Sequence, residues 1–217
     1  MREQIIRAVE AHKLIAILRG VPGEKLLSVA EALYRGGIRL LEITYAADGR
    51  ISDRETARNI GVLARAFEGR MFLGAGTVLT EEQVQLTADA GGRFIISPDT
   101  NPPVIEQTRK IGLVSMPGAL SPSEITAAHR AGADFVKLFP VTNLGVDYIK
   151  AVMAPLSHIK LLAVGGICET NMRQYLQAGV CGFGVGSNIV NKSMVQNDDY
   201  EGITKLAEGY VSVIHDG

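Results

Sequence analysis

The apolar segment Asp134-Phe135-Val136-Lys137-Leu138-Phe139-Pro140 carries a lysine at its centre. An ammonium group on a buried strand costs several kcal/mol unless it is paired or discharged. Desolvation favours the neutral amine, and a neutral amine attacks carbonyl carbon to form a Schiff base. That chemistry also needs a proton-transfer group and a means of orienting the carbonyl compound. Leu40-Leu41-Glu42-Ile43-Thr44 places a carboxylate inside a second apolar run, and Ile15-Ala16-Ile17-Leu18-Arg19 ends a third with a guanidinium. Strand periodicity groups Leu40, Glu42 and Thr44 on one face, Ile15, Ile17 and Arg19 on another, and Phe135, Lys137 and Phe139 on a third.

Whether those faces meet depends on the elements that carry them. The 217-residue chain repeats one pattern of short apolar run, turn and amphipathic stretch. The apolar runs are Leu14–Gly20, Ile38–Tyr45, Met71–Val78, Phe94–Pro98, Leu113–Pro117, Asp134–Pro140, Lys160–Gly166 and Cys181–Ser187. Helical spacing fills the intervals at Glu24–Arg35, Asp53–Phe67, Glu81–Ala90, Pro103–Lys110, Ser123–Ala131, Val146–Ala154 and Asn171–Ala178, and a last helix is expected over Tyr200–Ile214. Strand-helix alternation with short connections predicts a parallel sheet covered by helices, and eight units in this length fit an α/β fold of the (β/α)8 barrel type. No linker or composition shift divides the chain, so a single domain over residues 1–217 is expected, with a short N-terminal helix added. Ser121-Pro122-Ser123-Glu124 and Thr80-Glu81-Glu82-Gln83 read as capping boxes, and Gly36-Gly37, Gly91-Gly92, Gly132 and Gly179 as helix ends.

In such a barrel, chemistry sits at the C-terminal ends of the strands. Thr77 and Pro98 end the third and fourth runs, and the small residues of Gly74-Ala75-Gly76-Thr77 would let substrate approach the backbone. Each candidate has a plainer reading. Lys137 and Glu42 could form a structural ion pair, although buried pairs seldom improve on apolar packing. Arg19 could be a rim arginine, Thr77 a strand cap and Phe139 core packing. Two glycine motifs, Ala163-Val164-Gly165-Gly166-Ile167 and Gly182-Phe183-Gly184-Val185-Gly186-Ser187, end the last two runs, where barrels commonly hold phosphate on backbone N–H groups. Their plainer reading is turn formation. The polar loop Ala46–Arg54 is longer than most here and reads either as a substrate-contacting loop or as a tolerated insertion.

Other chemistries are disfavoured. The four histidines end no run and join no carboxylate cluster, the two cysteines lack zinc spacing, and no GxGxxG follows the first run. Neither a metal nor a cofactor is expected. A net charge of −1 with no basic stripe argues against nucleic acid. No apolar run approaches a membrane span, and the N-terminus is unlike a signal peptide, so a soluble cytoplasmic protein is expected.

In order, the motifs above, with Ser97-Pro98, Pro117-Gly118, Gly165-Gly166-Ile167 and Gly186-Ser187, resemble the Schiff-base aldolases of the 2-keto-3-deoxy-6-phosphogluconate (KDPG) and 4-hydroxy-2-oxoglutarate (KHG) family. The likeness runs from Leu14 to about Leu206. It implies a metal-free, trimeric (β/α)8 barrel that releases pyruvate and an aldehyde. By position it makes Lys137 the Schiff-base lysine and Glu42 the general acid/base. Arg19 and Thr77 would hold the pyruvate carboxylate, Pro98 and Phe139 would line its pocket, and Gly165, Gly166, Gly186 and Ser187 would grip phosphate. Family members acting on KDPG usually have arginine where this chain has Ala46 and threonine where it has Val164, a substrate-side position. Members acting on the galactonate epimer share Ala163-Val164-Gly165-Gly166. Arg50 or Arg54 is a candidate replacement for the missing phosphate contact. A phosphate-binding isomerase or synthase, and a non-catalytic barrel that binds sugar-acid phosphates, are the alternative readings.

Overall fold

Each of the eight apolar runs becomes a parallel strand. The computed structural model describes residues 1–142 and 144–215, so Asn143, Asp216 and Gly217 lie outside the described residues. In chain order the strands are β1 (Leu14–Leu18), β2 (Leu40–Thr44), β3 (Phe72–Gly76), β4 (Phe94–Ile96), β5 (Val114–Met116), β6 (Gly118–Ala119), β7 (Val136–Leu138), β8 (Leu161–Val164) and β9 (Gly182–Val185). The helices are α1 (Arg2–His12), α2 (Leu26–Arg35), α3 (Asp53–Ala66), α4 (Glu81–Asp89), α5 (Pro102–Lys110), α6 (Pro122–Arg130), α7 (Gly145–Leu156), α8 (Glu169–Gln177), α9 (Lys192–Gln196) and α10 (Tyr200–His215).

Among the described residues nine strands arise from eight runs, because strand pairing continues past the end of the fifth. Pro117 has no N–H to continue the ladder with β4, so β5 ends at Met116, and Gly118 and Ala119 pair with β7 instead. The lateral order is β5-β4-β3-β2-β1-β9-β8-β7-β6, and every pairing between neighbouring strands is parallel. The two halves of the fifth strand close the sheet on itself. Phe135 N–H donates to the Ser115 carbonyl, and Lys137 N–H donates to the Pro117 carbonyl at 2.8 Å. The result is a (β/α)8 barrel in which Lys137 is fixed by a backbone bond at the closing seam.

Alternation along the strands sorts side chains into two cores. Ile15, Leu40, Phe94, Ile96, Val114, Met116, Phe135 and Leu162 pack inside the barrel, together with Ile5, Ala8 and Val9 of α1. That helix therefore closes the N-terminal end of the barrel. Asp134 ties it down, taking Arg2 and Arg109 on one oxygen and the Ser115 N–H on the other. The alternate residues, such as Leu41, Ile43, Val136 and Leu138, pack outward under the helices. With hydrocarbon filling the lower barrel, the polar inward positions Glu42 and Lys137 stand above it.

Local differences from expectation are small and have causes. Ser121 and Glu124 form the reciprocal capping box. Thr80 does accept the Gln83 N–H, but the Gln83 side chain takes the Leu79 N–H at 2.7 Å, so that box is only half formed. Helix α8 starts at Glu169 rather than Asn171, because Cys168 acts as its cap and Asn171 Oδ1 accepts the Cys168 N–H. Among the described residues no helix is long and apolar enough to cross a membrane.

Candidate functional site

Glu42 lies at the middle of β2, paired with Ile17 of β1 on one side and Gly74 of β3 on the other. Its residue is 1 % exposed. The room for its carboxyl comes from Gly76: a Cβ there would collide with Glu42 Oε1. The Gly74 position is filled likewise by the Phe94 ring. These small residues therefore admit protein side chains, not substrate, which corrects the expectation from sequence. Thr44, the next inward residue of β2, donates its hydroxyl to Oε1 at 3.2 Å, while Oε2 is buried without a hydrogen-bond partner among the described residues.

Lys137 belongs to β7, four places round the sheet from β2, and is 5 % exposed. Its register partners are Gly118 and Leu162. Nζ lies 4.6 Å from the centroid of the Phe139 ring. Burial pushes the ammonium below its ordinary pKa; the Glu42 carboxylate opposes that shift and the Arg19 charge adds to it. Burial likewise pushes the Glu42 carboxyl up, against the pull of Lys137, the Thr44 hydrogen bond and Arg19. The same desolvation thus favours a free amine and a neutral acid, the forms needed for attack on a carbonyl and for proton delivery.

Arg19 follows the last residue of β1 and is exposed at the mouth. Its Nη2 reaches Thr77 Oγ1 at 3.4 Å. Thr77 follows β3 with φ of 55°, a left-handed conformation that a β-branched residue rarely adopts. Such strain concentrates where a side chain must be aimed. Pro98 lies half-buried beyond β4, its carbonyl filling the space a Cβ on Gly118 would need. Ser97 Oγ donates to the Val78 carbonyl at 2.7 Å, joining the ends of the third and fourth strands. Phe139 is half-buried, and Val164 is buried at the end of β8.

Gly165 and Gly166 follow with φ of 97° and 71°, which a side chain would strain. A Cβ on Gly166 would come 3.1 Å from Thr142 Oγ1. Two side-chain amides hold the carbonyls of this loop: Asn171 Nδ2 donates to Gly166 O and Asn188 Nδ2 to Ile167 O, each at 2.8 Å. Gly186 opens the matching turn after β9, its carbonyl accepting the Ile189 and Val190 N–H groups, and Ser187 is exposed there. Thr44, Asn171 and Asn188 were not singled out from sequence. Thr44 alone had a signal, its place on the Glu42 face. The two asparagines gave none, since their partners are carbonyls of a loop whose path depends on the fold.

The two arginines considered as phosphate contacts are placed otherwise. Arg50 is held by Asp48 of its own loop, with Nε to Oδ2 at 2.6 Å, and its side chain is 84 % exposed. Arg54 lies in the first turn of α3 and lines the groove between α3 and α4. Among the described residues no three His, Cys, Asp or Glu side chains come together as a metal site.

A family profile described as KDPG and KHG aldolase matches residues 5–206. A probable 2-dehydro-3-deoxy-6-phosphogalactonate aldolase of Rhizobium meliloti is 38% identical over 186 residues, covering 85% of each chain. A solved structure described as native KDPGal superposes with a TM-score of 0.84 at 31% identity, covering 94% of both chains. A Legionella pneumophila KDPG aldolase, with pyruvate captured as a covalent carbinolamine intermediate, also gives a TM-score of 0.84, at 30% identity over 94% of this chain and 97% of that one.

Proposed function

Because this chain belongs to the KDPG and KHG aldolase family, we propose that Lys137 and Glu42 perform a class I aldol cleavage of a 2-keto-4-hydroxy acid. The substrate class is a 2-keto-3-deoxy-6-phospho sugar acid, of the gluconate or galactonate series, with 4-hydroxy-2-oxoglutarate as the unphosphorylated counterpart. The products are pyruvate and an aldehyde, glyceraldehyde 3-phosphate or glyoxylate. The observation that carries this reading is a buried amine and a buried carboxyl facing each other across one barrel, each shifted by burial toward its neutral form.

Neutral Lys137 Nζ attacks the C2 ketone and gives a carbinolamine. Protonated Glu42 delivers its proton to the departing hydroxyl, so water leaves and an iminium forms beside a carboxylate. The new cation stabilises that carboxylate, which then takes the proton of the C4 hydroxyl. As the C4 oxygen becomes a carbonyl, the C3–C4 bond breaks and its electron pair flows into the iminium, leaving an enamine. The aldehyde departs. Glu42 returns the proton to C3, and water, deprotonated by the same carboxylate, adds to C2 to release pyruvate and the free amine. One carboxyl group completes the cycle without net proton gain.

Arg19 and Thr77 hold the substrate carboxylate at the mouth, where the guanidinium supplies a charge-assisted contact. Pro98 and Phe139 form walls of the pyruvate pocket. Gly165, Gly166, Gly186 and Ser187 receive the phosphate, and Val164 contacts the aldehyde side. The enzyme acts as a cytoplasmic homotrimer by the same family likeness.

The test is pyruvate release from the two phosphorylated epimers and from 4-hydroxy-2-oxoglutarate. A kcat/KM of about 10⁴ M⁻¹s⁻¹ or more with one phosphorylated epimer is expected. Binding of all three without pyruvate from any would overturn the aldolase reading and leave the isomerase or synthase and the binding-barrel alternatives.

A further inference from the structure

Resting on the proposed role of Glu42, we infer that Thr44 is a positioning residue that decides which oxygen of that carboxyl exchanges protons. The two oxygens are not equivalent in the structure. Oε1 lies in the notch left by Gly76 and accepts the Thr44 hydroxyl at 3.2 Å. Oε2 is buried and has no hydrogen-bond partner among the described residues. A buried carboxylate oxygen left unsatisfied is costly and rare in folded proteins. Its natural partner is a group that arrives with the reaction, here the hydroxyl leaving C2 and then the one on C4. Thr44 and Gly76 together fix the rotation of the carboxyl and leave Oε2 as the working atom.

The hydroxyl acts in a second way. Because it donates to Glu42, it favours the ionised carboxyl and limits the rise caused by burial. Removing it should move the acid/base profile as well as the geometry. The methyl group of Thr44 can do neither.

Thr44→Val keeps the shape and deletes the donor; Thr44→Ser keeps the donor and deletes the methyl. With the substrate that the wild type turns over best, Thr44→Val should lower kcat about 10- to 100-fold, change KM little, and shift the acidic limb of the kcat profile to higher pH. Thr44→Ser should recover most of the rate and the wild-type profile. An unchanged profile in Thr44→Val, or a Thr44→Ser variant equally impaired, would overturn the inference. Borohydride trapping of pyruvate on the wild-type enzyme separates the two levels. If Lys137 is labelled and Thr44→Val behaves as wild type, only this inference fails. If Lys137 is not labelled, the parent reading fails and takes this one with it.

Discussion

Glu42 and Gly76 share a single volume: the carboxyl of one occupies the place where the other would carry a Cβ. The acid is held in the barrel by an absent side chain on the adjacent strand. Gly76 lacks the positive φ that would strain an alanine there, so Gly76→Ala tests the overlap alone. The displaced carboxyl should cost at least a hundredfold in kcat, and the overpacking about 1–3 kcal/mol of stability. Kinetics together with urea unfolding of the variant checks both.

The pH dependence of stability has a definite sign. Burial holds the Glu42 carboxyl above its ordinary pKa in the folded chain. Its contribution to stability is then complete below the unfolded-state pKa and lost as pH rises through the folded-state value. Glu42→Gln is neutral throughout. It should match the wild type near pH 4 and be the more stable protein at pH 8, with cleavage abolished. Urea midpoints at the two pH values measure the gap, and a wild type more stable than the variant at pH 8 would reverse the sign.

The glycine loop proposed to receive phosphate is tested separately. Gly166→Ala places a methyl group in a left-handed position and 3.1 Å from Thr142 Oγ1. The loop must shift, and KM for a phosphorylated substrate should rise about tenfold, the equivalent of 1.4 kcal/mol. Turnover of 4-hydroxy-2-oxoglutarate, which has no phosphate, should stay within about twofold of wild type. Parallel KM measurements with the two substrates decide it.

Arg50 and Arg54 are expected to matter little. Arg50 pairs with Asp48 in full solvent, where an ion pair contributes little, and Arg54 lines an outer groove. The double variant Arg50→Ala/Arg54→Ala should change KM for a phosphorylated epimer by less than about twofold. A tenfold rise would restore the idea that this loop supplies the charge that Ala46 lacks.

The sequence was most legible where side-chain period alone carries the information. Two-residue alternation placed Leu40, Glu42 and Thr44 together and Phe135, Lys137 and Phe139 together, and both faces turn inward. What depends on a third dimension stayed hidden. Gly76 looked like access for substrate, because nothing along the chain says that Glu42 fills its space. Thr77 is not a residue that advertises a positive φ, so its strained backbone had no local signal. Pro117 was visible as a strand end, yet the pairing beyond it exists only because Gly118 and Ala119 meet β7 across the seam. Gln83 had two neighbouring donors within reach, and the choice of Leu79 over Thr80 follows from the geometry of that turn.

The proposed chemistry needs a nucleophilic amine at one position of β7, and covalent capture reads it directly. Incubation with pyruvate and sodium borohydride, followed by peptide mapping, should reduce the iminium to a stable adduct on Lys137, and Lys137→Arg should give none. An adduct on another lysine, or none at any pH where the enzyme releases pyruvate, would contradict it.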